Sequence, residues 1–92
     1  MPSITIDESR IGHIFREAAG HFREDNLVNR RSLIDVASRP GNFVGTDRFG
    51  TDWFAEIKPD GTQVWVHVRG GKITNGGVNF TPRRRFDLDT IS

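Results

Sequence analysis

The histidines of this chain are the residues best suited to chemistry. Three occur among 92 residues, and two of them, His13 and His21, fall in the N-terminal segment GHIFREAAGH. Imidazole changes charge nearest to neutral pH, so such a pair can serve as general base and general acid. His13 also precedes Arg16 and Glu17 at spacings that predict one shared helix face. The alternative is that one histidine packs locally while the other meets only solvent.

The stretch Thr51–Arg69 predicts a β-hairpin that holds a second candidate group. Valines alternate with polar and aromatic residues throughout Thr62–Arg69, which is the pattern of a strand with one buried face. Asp60-Gly61 suits a tight turn, because both residues accept positive φ angles. A two-residue turn there fixes a register in which Trp53 joins the valine face and Glu56 joins the opposite, polar face.

The polar face of this hairpin combines a carboxylate, an imidazole, cations and aromatic rings. Gly70-Gly71 predicts a second tight turn, after which Ile73 joins the core and His67 lies opposite Thr74. The predicted members of the face are Phe54, Glu56, Trp65, His67, Arg69, Lys72 and Thr74. Metal-independent RNA cleavage needs a base, an acid and donors for the phosphorane charge, and an aromatic ring can stack a nucleobase. The alternative is a solvated face held by cross-strand ion pairs.

The elements that must position these residues follow from the periodicity of apolar side chains. A period near 3.6 predicts a helix over Glu8–Ala19, capped by Gly20, and a second over Leu27–Ser38, started by Asp25 or Asn26. After Pro40 the period falls to two, and a weaker signal precedes the first helix. The predicted strands are Ser3–Ile6, Phe43–Asp47, Asp52–Lys58, Thr62–Arg69, Lys72–Asn75 and Val78–Thr81, with a turn or bulge at Asn75–Gly77 whose backbone N–H groups could meet a phosphate.

This order predicts an α+β domain in which two N-terminal helices pack on one face of a four- to five-stranded antiparallel meander. We expect residues 1–92 to form one small domain, with 83–92, which contain the basic run Arg83-Arg84-Arg85, as a poorly structured tail. A net charge of +1 disfavours a sequence-indifferent duplex binder but allows a local phosphate-binding groove. The absence of cysteine excludes disulfides and thiolate metal sites, and the histidine spacing matches no metal motif, so no metal or cofactor is expected. No apolar run is long enough to span a membrane.

Several short motifs occur along the chain, and their order resembles that in a known group of proteins. They are GHIFR-x3-GH in 12–21, D-x3-NR in 25–30, GTDRFGTDWF in 45–54, DGTQVWVHVR-GGKI in 60–73 and GGVN-x-TPR in 76–83. Together they resemble the C-terminal toxin domains of bacterial filamentous-haemagglutinin, contact-dependent-inhibition and Rhs-type polymorphic toxins. Many such domains are similar to the barnase/EndoU/colicin/RelE group of small α+β ribonucleases.

The resemblance implies an endoribonuclease that cuts RNA, often tRNA, without a metal, in the cytoplasm of a bacterium. It further implies delivery as the tip of a secreted toxin, a cognate immunity protein as partner, and a monomer when free. Residues that match the motifs are His13, Arg16, His21, Trp65, Arg69 and Asn79. With the polar face added, the predicted catalytic residues are His13, His21, Arg69 and Thr74, and the predicted RNA-binding residues are Arg16, Trp65, Lys72 and Asn79.

Two other functions remain open from the sequence. A barnase-like hydrolase would use Glu56 and His67 as its acid/base pair, although neither belongs to the matching motif positions. A non-catalytic module would use the polar sheet face to bind nucleic acid or protein, with salt-sensitive affinity if the ligand is nucleic acid.

Overall fold

The structure is a computed structural model that describes residues 4–82. A five-stranded sheet has the order β1-β5-β4-β3-β2, in which only the β1–β5 pair is parallel. The elements are β1 (Thr5–Ile6), α1 (Ile11–Ile14), α2 (Leu27–Ala37), β2 (Phe43–Thr46), β3 (Asp52–Ile57), β4 (Gln63–Arg69) and β5 (Lys72–Asn79), with 3-10 turns at Glu8–Arg10 and Pro40–Asn42. The α+β class is confirmed, although β1 precedes both helices. The predicted tail 83–92, including Arg83–Arg85, lies outside the described residues.

Helix α2 covers the valine face of the sheet, as predicted. It begins at Asn26, whose side chain accepts a hydrogen bond from the Asn29 N–H at 2.8 Å, and it ends one residue before the predicted Ser38. A Cβ at Gly76 would lie 2.8 Å from Leu33 Cδ2, so the helix packs directly on the backbone of β5. The core contains Ile6, Ile14, Phe15, Leu33, Val36, Ala37, Val64, Val66, Val68 and Ile73. No helix within residues 4–82 has the length and apolar character needed to cross a membrane.

The predicted first helix is wrong beyond Ile14. Phe15 adopts extended dihedral angles, φ −105° and ψ 105°, and forms an isolated parallel bridge with Phe22. The Arg16 N–H donates to the Phe22 carbonyl at 3.0 Å. Bending the chain here buries the Phe15 side chain while the segment 16–21 crosses to the opposite face of the sheet, so tertiary packing overrides the helical period. Gly20 has the positive φ expected of a cap, 81°, but lies in this loop and caps no helix.

The predicted hairpin register is wrong by one residue. The Lys58 N–H donates to the Thr62 carbonyl at 2.7 Å, which closes a three-residue loop over 59–61 with Gly61 at φ 88°. Because side chains alternate with a period of two, this single extra residue exchanges the faces of the whole first strand. Trp53 therefore lies opposite His67, and Glu56 lies opposite Val64 on the helix-covered face.

Strand β5 is continuous where two strands and a turn were predicted. Gly76 and Gly77 lie inside it, paired with Val66 and Trp65. A register shift between His67 and Val68 adds one residue to β5, so His67 lies opposite Asn75 and not opposite Thr74. The predicted Val68–Ile73 and Arg69–Lys72 pairs are confirmed. The irregularity thus lies one residue before the predicted one, and it sits at the base of the site described below.

Candidate functional site

All three histidines of the chain line one cleft of about 480 Å³. It opens between the segment 16–21, the β2–β3 loop and the sheet face opposite α2. Its lining comprises Arg10, His13, Arg16, Ala19, Gly20, His21, Asp47, Phe49, Thr51, Trp53, Trp65, His67, Arg69, Thr74, Asn75 and Asn79. No group of three or more His, Asp or Glu side chains within 4–82 is arranged to hold a metal ion.

His21 is held in one orientation and one tautomer. Its Nδ1 lies 3.0 Å from the Ile14 carbonyl oxygen, which only accepts hydrogen bonds, so Nδ1 carries the proton. Nε2 then offers a lone pair, and the Arg16 guanidinium donates to it at 3.2 Å. Burial lowers the pKa of His21, and the charges of Arg16 and His13 lower it further against the raising effect of the Ile14 carbonyl. His21 is thus a neutral imidazole with a defined acceptor atom near pH 7.

His13 lies beside this acceptor. It is exposed in the last turn of α1, and its ring centroid is 6.4 Å from that of His21. The structure therefore brings the predicted histidine pair together, through the bend after Ile14. The helix face predicted for His13, Arg16 and Glu17 is not formed, because α1 ends at Ile14. Two imidazoles at this separation can contact different oxygens of a single phosphoryl group.

The segment that carries His21 is anchored through Gly20. The Gly20 carbonyl accepts hydrogen bonds from Trp65 Nε1 at 2.8 Å and from the Val78 N–H at 3.0 Å. A Cβ at Gly77 would lie 1.9 Å from the same carbonyl oxygen, so only glycine permits this contact. Each glycine of the Gly76-Gly77 motif thus permits a close contact, Gly76 with Leu33 and Gly77 with the Gly20 carbonyl. Trp65 supports the same loop through its indole N–H.

His67 lies deeper in the cleft, between two tryptophans. Its ring centroid is 4.0 Å from that of Trp53 and 5.0 Å from that of Trp65. Its Nε2 is buried and finds no hydrogen-bond partner among residues 4–82. Burial lowers the pKa of His67 to about 4, and the nearby Asp47 carboxylate opposes that effect only in part. His67 is therefore neutral in the folded protein across the physiological pH range.

Asp47 is the carboxylate of the cleft lining, and its oxygens are already engaged. Oδ2 accepts from Trp53 Nε1 at 3.0 Å, while Oδ1 accepts from the backbone N–H groups of Phe49 at 2.9 Å and Thr51 at 3.0 Å. Although desolvation raises the pKa of Asp47, these hydrogen bonds hold it below its ordinary value. The carboxylate acts as a fixed acceptor that orders the β2–β3 loop.

The cleft presents more positive than negative charge. Arg10, Arg16 and Arg69 line it, and within residues 4–82 none of the three forms an ion pair with a carboxylate. Arg69 donates one hydrogen bond to the Phe49 carbonyl, and within residues 4–82 its other guanidinium donors are not engaged by a carboxylate. Three guanidinium groups against one engaged carboxylate make the cleft suited to an anion.

The β-bulge brings two consecutive side chains of β5 to the cleft. Neighbouring residues on a regular strand point to opposite faces, yet Thr74 and Asn75 both line this site. Asn79 also lines it, and its amide donates to Gln63 Oε1 at 3.1 Å. Lys72 does not: it is exposed at the start of β5, outside the lining residues.

The alternative Glu56 and His67 pair is not formed. Glu56 lies on the helix-covered side, where it accepts hydrogen bonds from Lys58 Nζ at 2.7 Å, Asn42 Nδ2 at 2.8 Å and Arg39 Nη1 at 2.9 Å. The bonds from Lys58 and Asn42 lower the pKa of Glu56 to about 2. This carboxylate is a structural anchor between the sheet and the segment after α2. The one-residue difference in hairpin register explains why the sequence placed Glu56 on the same sheet face as His67.

Sequence reasoning missed Arg10, Asp47, Phe49 and Thr51 as members of the site, and it placed Trp53 on the valine face of the sheet. Asp47 had a usable signal, because an Asp two residues before an aromatic and three before Gly50 suits a side-chain-capped turn. Nothing local indicated Arg10, which lines the cleft from the end of the 3-10 turn before α1. A scan against protein-family models, a search of curated proteins and a search of solved structures each found no match.

Proposed function

We propose that this chain is a metal-independent RNA endonuclease, with tRNA the favoured substrate from the toxin resemblance. The observation that supports it best is the meeting of His13 and His21 beside three guanidinium groups without carboxylate partners in the described chain. An acid, a base and cations around one phosphate-sized space are the groups that 2′-O transesterification requires.

In the proposed mechanism His21 is the general base, because its Nδ1–H bond to Ile14 leaves Nε2 as the acceptor. Nε2 takes the proton of the ribose 2′-hydroxyl, and the 2′-oxygen attacks phosphorus. The bond from phosphorus to the 5′-oxygen breaks, and His13, in its imidazolium form, donates a proton to that oxygen. The products are a 2′,3′-cyclic phosphate and a 5′-hydroxyl, and exchange with water restores both imidazoles.

The arginines stabilise the charge that develops on the phosphorane. Arg16 already donates to His21 Nε2, so in this mechanism it moves from the imidazole to the phosphate as substrate enters. Arg69, fixed through the Phe49 carbonyl, and Thr74, at the bulge, supply further donors. Removing one donor to a developing oxyanion in other enzymes costs about 100- to 1,000-fold in rate, and the same order is expected for Arg69→Ala.

The test is incubation of the purified chain with total tRNA in EDTA, followed by analysis of the RNA ends. We expect cleavage with cyclic-phosphate and 5′-hydroxyl ends, lost in His13→Ala and His21→Ala. Arg16→Gln should reduce cleavage, whereas Arg23→Gln should not, because Arg23 pairs with Glu17 at the surface. Intact tRNA with the wild-type chain would refute the proposal, as would unchanged cleavage by both histidine variants.

The second candidate is a module that binds RNA or an acidic protein in the same cleft without turnover. The engaged state of both His21 nitrogens in the free protein favours it, since the base is not yet available. Stoichiometric, salt-sensitive binding of tRNA with no new ends would select this function. Growth arrest on cytoplasmic expression in a bacterium, relieved by His21→Ala or by a neighbouring immunity gene, would select the toxin.

A further inference from the structure

We infer that Phe49, at the rim of the cleft, is the stacking platform for an unpaired nucleobase next to the bound phosphate. This inference rests on the proposal that the ligand is RNA, but it requires no catalysis. Phe49 lines the cleft and is 52% exposed. An aromatic ring exposed at the mouth of a cationic cleft is the feature with which proteins hold single-stranded nucleic acid.

The loop beneath the ring is ordered before any ligand binds. The Asp47 carboxylate accepts the Phe49 N–H at 2.9 Å, and the Asp47 N–H donates to the Thr51 carbonyl at 3.0 Å. Gly50, at φ 81°, donates to the Asp47 carbonyl at 3.1 Å and closes the turn. A ring on a fixed backbone loses little conformational entropy on stacking, which is what a platform requires.

The other aromatic residues of the cleft are committed elsewhere. Trp53 is only 3% exposed, packs on His67 and donates its indole N–H to Asp47. Trp65, the stacking residue predicted from sequence, is half-buried and contacts His21 edge-on with ring centroids 5.4 Å apart. Among the Phe and Trp side chains that line the cleft, Phe49 has the ring most accessible to a base.

Two arginines place the ring next to a phosphate site. The Arg48 guanidinium carbon lies 4.9 Å from the centroid of the Phe49 ring, a cation–π contact on one side of it. Arg69 donates to the Phe49 carbonyl and lines the cleft itself. A nucleotide whose phosphate meets Arg69 would therefore have its base within reach of the ring beside it.

The experiment measures equilibrium binding, by fluorescence anisotropy, of a single-stranded RNA made uncleavable by 2′-O-methyl groups. Phe49→Ala should weaken binding by about 5- to 150-fold, the range for loss of one stacked base. Phe49→Trp should retain affinity, while Phe49→Leu should lose it, because leucine is apolar but has no π-face. The matched control is Phe80→Ala, since Phe80 is 84% exposed and does not line the cleft.

A second probe in which abasic sites replace the bases separates stacking from backbone contacts. We expect Phe49→Ala and wild type to bind the abasic strand equally. Three results would overturn the inference. They are equal losses of affinity in Phe49→Ala and Phe80→Ala, full affinity in Phe49→Leu, and no binding of the wild type to either strand. Phe49-dependent binding by a chain that leaves tRNA uncut would refute the nuclease and retain the platform.

Discussion

The buried imidazole of His67 should make the fold sensitive to acid in a defined pH window. Its pKa is about 4 in the folded chain, against an ordinary value of 6.5. Between these values the unfolded chain binds a proton that the native chain does not, so stability falls as pH falls. The stability lost through protonation of His67 in the unfolded chain is negligible above pH 6.5. It grows as the pH falls from there and changes no further below about 4.

The size of the effect follows from the gap between the two pKa values. That gap corresponds to at most about 3 to 4 kcal/mol of unfolding free energy, since one pKa unit is about 1.4 kcal/mol. Integration down to pH 4.5 gives a loss of about 2 to 3 kcal/mol. Partial exposure of the ring to the cleft makes these upper values. Even half of this amount is a large share of the stability of a small domain.

The assay compares urea unfolding of wild type and His67→Phe at pH 7.5 and pH 4.5, followed by tryptophan fluorescence. The variant changes packing between Trp53 and Trp65 at both pH values. The titration of His67 is therefore measured by comparing the loss of stability from pH 7.5 to pH 4.5 in wild type with the same loss in the variant. His21, whose pKa is also lowered, acts in both proteins and cancels. Wild type should lose about 2 kcal/mol more than the variant on acidification.

Two results would refute the reasoning about His67. One is a pair of stability profiles that stay parallel from pH 7.5 to 4.5. The other is an NMR titration in which the His67 ring protons shift with a midpoint near the ordinary histidine value and not near 4. Either result would mean that the imidazole can be protonated inside the folded cleft, and that the buried Nε2 has an acceptor or solvent within reach.

Three further perturbations test the site. Gly77→Ala should displace the segment that holds His21 and reduce cleavage or RNA binding, while Gly12→Ala, with open space around the added Cβ, should not; circular dichroism checks that both remain folded. Arg16→Gln should raise the pKa of His21, measured by NMR, because the Arg16 charge lowers it; an unchanged pKa would contradict the contact. Glu56→Gln should lower stability above pH 4.5 through weakened bonds to its cationic partners, yet leave activity unchanged, and an inactive folded variant would restore Glu56 as a candidate.

Local sequence signals predicted the fold where neighbouring residues determine it. The valine period of β4 and the Asn26 cap of α2 gave the correct face and the correct helix start. These signals failed where packing against another segment of the chain decides the backbone conformation. The apolar period past Ile14 is compatible with a helix, and only the pairing of Phe15 with Phe22 shows that extended backbone buries this segment better.

The site was predictable in part for the same reason. His13 and His21 were identified from residue type, whereas the helix face predicted for His13, Arg16 and Glu17 was wrong because α1 ends at Ile14. Asp60-Gly61 is compatible with loops of two or three residues, and sequence alone does not choose between them. That choice decided whether Glu56 or Trp53 would face the cleft.

The consequence of that one residue is chemical as well as structural. With a two-residue loop, the free carboxylate of Glu56 would share a sheet face with His67 and favour proton transfer between them. With the observed loop, Trp53 takes that face and donates its N–H to Asp47, so the remaining carboxylate of the cleft is fully engaged. The positive charge of the guanidinium groups is then not compensated by a free carboxylate, so the cleft is suited to an anion. The length of the β3–β4 turn thus decides which residues face the cleft and, with them, the charge of the cleft.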